Sequence, residues 1–176
     1  VSNWKFILPL FVGVCIFSFY LFPKYQDEMT ALAGKDARPL DVRFSYTTDE
    51  VNDLFQKLGT DGRKLYEVMT GKIDMIFPVI YGLLFILILA WLLKKIAKNK
   101  RGLIYISLLP AIGVVFDYLE NFNTLNLLEK YPNFTIKEVE WSEQVTRTKH
   151  IALFVSVALA VILLIFLLIT KIRKPQ

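Results

Sequence analysis

Between Asp74 and Asp117 the chain carries no acidic residue, and within that interval Met75–Leu93 has no charged residue at all. A hydrocarbon core about 30 Å thick needs about 20 helical residues to cross it. Two further stretches meet that length, about Phe6–Phe22 and Ile151–Thr170. A fourth, from Leu103 to Phe116, is too short unless it takes Asp117, Tyr118, Glu120 and Asn121 in with it. The chain is 55% hydrophobic and 21% charged, with its acids absent beyond Glu143. Ordinary soluble domains are about 45–50% apolar with a quarter charged. This pattern argues against a soluble globular enzyme and against a disordered tail.

The expected fold is therefore an all-α integral membrane protein. It is an antiparallel bundle of four transmembrane helices with a small, mostly helical extracytoplasmic cap. The expected division is residues 1–22 as the first transmembrane helix, 23–72 as the cap and 73–94 as the second helix. Residues 95–101 form a basic loop, 102–128 a third helix extending outward and 129–146 an outer loop. The fourth helix covers 147–170 and a basic tail 171–176. The first segment is expected as a retained span and not a signal peptide, because charged residues separate Ala31-Leu32-Ala33 from its apolar run.

Orientation follows from Lys and Arg in short connections. Lys94, Lys95, Lys98, Lys100 and Arg101 stand together without an acid, as do Lys171, Arg173 and Lys174. Both groups are expected in the cytoplasm, with both termini, in a bacterial inner membrane or a eukaryotic plasma or internal membrane. The two other connections mix signs and are expected outside. The net charge of +5 is thereby explained by topology, so no nucleic-acid partner is expected. The expected partners are the lipid bilayer, a lipid headgroup or another membrane protein, and oligomers are compatible with the pattern.

In the first connection, Leu40–Tyr46 alternates apolar and polar residues, which predicts a short strand. Thr47 and Glu50 form a capping box, and Val51, Leu54, Phe55 and Leu58 make one apolar stripe on the helix that follows. Gly59 is expected to end that helix, and a second from near Asp61 is expected to run into the next span. In outline the chain is similar to tetraspan proteins such as claudins. The W-x-x-W and paired cysteines of the claudin type are missing from this connection, and no function carries over.

Cys15 is the only cysteine and His150 the only histidine. That removes intramolecular disulfides, CxxC pairs and His/Cys zinc sites. Chemistry must rest on carboxylates, basic groups, tyrosines or a metal held by oxygen. On the third helix Pro110, Gly113, Asp117, Glu120, Asn121 and Thr124 recur at three- and four-residue steps, one stripe that should face other helices. Depth counting brings Asp74, Asp117, Glu120, Asn121, Lys149 and His150 to one level in the outer leaflet, with Tyr81 on the second helix. Arg63 and Tyr66 are expected to join them from the cap. Pro78 and Pro110 free the carbonyls of Asp74 and Ile106.

This cluster has two readings. One is a structural network, with Arg63 against Asp117 or Glu120. The other is a ligand site, in which a divalent cation sits on Asp74, Asp117 and Glu120 and Arg63 or Lys149 holds a phosphate. Three functions are expected in order: a non-enzymatic binding or assembly protein using the cap, an outer-leaflet enzyme or binding protein for a lipid or amphiphile, and a small transporter or channel subunit.

Overall fold

The computed structural model describes residues 4–35, 37–96 and 101–172. Lys98, Lys100, Arg173 and Lys174, on which part of the charge argument rests, lie outside the described residues. Among those described, the chain is all-helical, and four helices are long and apolar enough to cross a membrane: Trp4–Ala33, Phe77–Ile96, Gly102–Lys130 and Ile136–Thr170.

The first of these begins as α1, Trp4–Ile16, passes through a π-helical turn at Phe17–Leu21, and continues as α2, Phe22–Ala33. Helix therefore persists well beyond residue 22, where the cap was expected to begin irregularly. The π turn explains how. Phe22 N–H bonds the Phe17 carbonyl, and the widened turn delivers Pro23, which has no N–H, into the first turn of α2.

The predicted strand at Leu40–Tyr46 does not form. A single 3₁₀ turn, Leu40–Val42, follows Pro39, and the Leu40 N–H is taken by the Tyr66 hydroxyl at 2.7 Å. With no neighbouring strand to receive its backbone groups, the period-two pattern had nothing to pair with.

α3, Thr48–Val68, opens on the capping box: Glu50 N–H reaches Thr47 Oγ1 at 3.3 Å and Thr47 N–H reaches Glu50 Oε2 at 2.7 Å. Gly59 (φ 60°, ψ −167°) kinks it, so the two expected helices are two limbs of one element. The backbone there lies in the left-handed region that glycine tolerates best. α3 does not run straight into the next helix. A π turn, Met69–Ile73, and a short break separate it from α4, Phe77–Ile96.

α5, Pro110–Lys130, is preceded by a 3₁₀ segment, Arg101–Leu108. Pro110 cannot serve the Ile106 carbonyl, and Leu109 N–H bonds it instead at 3.1 Å. α6, Ile136–Ile172, is unbroken for 37 residues and takes in most of the expected outer loop.

α4 packs against α1, α5 and α6, and α5 packs along α6. Small residues set these contacts. A Cβ at Gly82 would lie 2.3 Å from Val114 Cγ2, so only glycine lets α4 approach α5 this closely. The largest apolar cluster sits elsewhere, at the ends of these helices. Met29, Leu40, Val51, Leu54, Phe55, Leu58 and Tyr66 bury there against Leu127 of α5, Val139 of α6 and Phe134 from the connection between them. We refer to this subdomain as the cap. Its Val51–Leu58 stripe faces inward. By contrast, α6 exposes Phe154, Ile162 and Ile165, and α1 exposes Phe6, Leu8 and Phe11.

Candidate functional site

The stripe on α5 is fully enclosed: Pro110, Gly113, Asp117, Glu120, Asn121 and Thr124 are all buried. Three carboxylates and one lysine meet the protein interior near it, since Asp74 and Lys149 are also buried. Each charged group buried this way needs a partner to offset lost hydration. Glu120 pairs with Lys149, whose Nζ also donates to the Asp41 carbonyl at 3.3 Å. Asp117 Oδ2 accepts from the Tyr81 hydroxyl at 2.7 Å. The Asp74 carbonyl, freed by Pro78, accepts from Asn121 Nδ2 at 3.3 Å. His150 Nε2 lies 3.2 Å from the Arg43 carbonyl.

Among the described residues, three buried carboxylate oxygens lack a hydrogen-bond partner: Asp41 Oδ1, Asp117 Oδ1 and Glu120 Oε1. Native interiors leave few such atoms, so each asks for an explanation.

Beside them lies a cavity of about 670 Å³. Its polar wall is Ser18, Gln26, Asp27, Asp41, Asp74, Asp117, Tyr81, Lys149 and His150. Its apolar wall is Val14, Phe22, Phe77, Phe85, Leu153 and Val157. Phe85 and Val157 also line a second, almost wholly apolar groove of about 520 Å³. That groove runs between α1, α4 and α6, where Trp4, Trp91 and Leu164 contribute to its walls. The two spaces share side chains, so an elongated molecule could place a polar end in one and a chain in the other.

Of the residues expected at the site, Asp74, Tyr81, Asp117, Lys149 and His150 line the cavity. Glu120 stands behind Lys149 and Asn121 behind Asp74, holding them. Arg63 and Tyr66 do not join them. Arg63 Nη1 donates to the Phe55 carbonyl at 2.8 Å, and its guanidinium sits 4.7 Å from the centre of the Tyr131 ring. The expected pairing of Arg63 with Asp117 or Glu120 is therefore absent, because a helical stripe fixes a face but not the neighbour it meets. Tyr66 belongs to the cap core, where burial holds its phenol well above the ordinary range. It acts at one remove, by fixing the turn that carries Pro39, Asp41 and Val42 to the cavity. Tyr46 supports the other side. Its hydroxyl meets Ser142 at 2.9 Å and Thr146 at 3.1 Å, and burial raises its pKa to about 12.

Among the described residues, no three His, Cys, Asp or Glu side chains are grouped to hold a metal ion. The three carboxylates considered as ligands are divided between Tyr81, Lys149 and the cavity. Asp41, Asp27 and Gln26 were not anticipated. Asp41 falls in the stretch expected as a strand, and Gln26 and Asp27 in the connection expected as the cap. The spacing Val14, Ser18, Phe22, Gln26, four residues apart, was the available signal for a cavity-lining face on the first helix.

No family model, curated protein or solved structure matches the chain.

Proposed function

We propose that the protein is a multi-pass membrane protein that binds an amphiphile in the cavity between α1, α4 and α6. Both termini lie in the cytoplasm and the cap outside, as the basic connections suggest. The observation that carries the reading is the joining of a carboxylate-lined cavity to an apolar groove through Phe85 and Val157. Ligand sites are mostly apolar with a few placed polar groups, and fall between the helices of bundles. The outward apolar faces of α1 and α6 support immersion in lipid.

A cap that docks a protein partner is less favoured. Its apolar stripe, Val51, Leu54, Phe55 and Leu58, is already covered by the chain's own residues. The anion-holding role expected of Arg63 and Lys149 is also less favoured, since one lies in the cap and the other is paired with Glu120.

Native mass spectrometry from a mild detergent tests the reading, with Val157→Trp filling the junction of the two spaces and Leu153→Trp filling the polar-walled cavity. The unmodified chain should retain a one-to-one amphiphile adduct, and both variants should elute as folded protein without it. Equal adducts in all three would sink the proposal.

A further inference from the structure

The polar wall of the cavity is mismatched: it is rich in carboxylate acceptors, and its strongest donors are already engaged. Lys149 is engaged by Glu120 and the Asp41 carbonyl. The Tyr81 hydroxyl is given to Asp117 Oδ2. What remains is Asp117 Oδ1, buried on a residue only 4% exposed and without a partner, and Asp41 Oδ1, an inaccessible and unpartnered atom on a half-buried residue. Asp74 adds a third carboxylate, 6% exposed, to the same wall. Two aromatic rings, Phe77 and Tyr81, with centroids 5.2 Å apart, stand on the same wall.

We infer that the headgroup taken by this cavity is a primary amine in its ammonium form, carried on a long alkyl chain. The inference rests on the reading of the cavity as an amphiphile site. An ammonium offers three donors and no acceptor, which matches a wall rich in carboxylate oxygens, two of them buried and unpartnered. Hydrogen bonds to ionised partners are about twice as strong as neutral ones. Aromatic faces add attraction for a cation and none for an anion. A phosphate headgroup would bring acceptors to acceptors and charge to like charge. An alcohol would satisfy one oxygen and bring lone pairs of its own.

The test titrates dodecylamine, dodecanol and dodecyl phosphate into the full chain in mild detergent, reading one-to-one adducts by native mass spectrometry. Dodecylamine should bind about tenfold or more tighter than dodecanol, with dodecyl phosphate weakest. Asp117→Asn should lose about tenfold toward the amine and little toward the alcohol. Asp74→Asn, tested beside it, should show the same selective loss and serves if the first variant does not fold. Dodecanol or dodecyl phosphate binding as tightly as the amine would overturn the headgroup assignment and leave the cavity reading standing. So would amine binding unchanged in both variants. Failure of all three probes to bind would remove the cavity reading as well.

Discussion

The cap and the cavity lie side by side and are built on opposite terms. In the cap, polar groups that enter the core are matched: the Tyr66 hydroxyl takes Leu40 N–H, and Arg63 serves the Phe55 carbonyl. The space between them is filled by Phe55, Met29 and Leu54, all essentially inaccessible. At the cavity, charged groups are buried with oxygens left over and about 670 Å³ left unfilled. Folding alone favours the first arrangement. Under the proposed function, the second sacrifices stability for the capacity to receive a ligand. The difference then separates residues that hold the molecule together from residues that would serve binding.

The comparison can be broken most sharply at the boundary, the Glu120–Lys149 pair. Lys149→Met strands a buried carboxylate and should lower stability by about 3–5 kcal/mol in thermal unfolding. The double variant Glu120→Leu with Lys149→Met should recover most of that loss. A double variant as unstable as the single one would show that the pair contributes something other than mutual compensation.

Alkaline pH probes the cap next. Tyr46 has a folded pKa of about 12, above its ordinary 10. Its neutral form is therefore favoured by folding. That contribution is complete below pH 10 and is lost as pH rises from 10 to 12, where only the unfolded chain has released the proton. The loss should approach about 2–3 kcal/mol. Tyr46→Phe should flatten this part of a stability-versus-pH curve, and an unchanged slope would assign it to other groups.

Tyr66→Phe leaves the Leu40 N–H buried without an acceptor and should cost about 1–3 kcal/mol. It should also weaken ligand retention, because the turn bearing Asp41 loses its tie. Asp117→Asn should change stability least, by less than about 1 kcal/mol, since one oxygen already lacks a partner and Tyr81 keeps an acceptor. A loss there as large as that of Lys149→Met would place Asp117 among the residues that hold the fold.

Much of this was legible in the chain. The four apolar helices follow from length and hydropathy, and the Thr47–Glu50 capping box forms as written. The α5 stripe is buried because small and polar residues at helical spacing can face only other helices here. What spacing could not supply was pairing between elements. Arg63 lies on the correct helix but turns to Phe55 and Tyr131, since the kink at Gly59 redirects its limb of α3. Asp41 escaped notice because a tyrosine 26 residues on captures the backbone beside it. The π turn before Pro23 hid the continuation of the first helix, because a proline after an apolar run reads as a boundary.

The pairing of Glu120 with Lys149 also constrains how the molecule is made. The glutamate leaves the ribosome 29 residues ahead of its lysine. Until α6 has been synthesised, Glu120 has no Lys149 to pair with. Under the proposed topology, α5 and α6 would therefore enter the membrane together, as a hairpin.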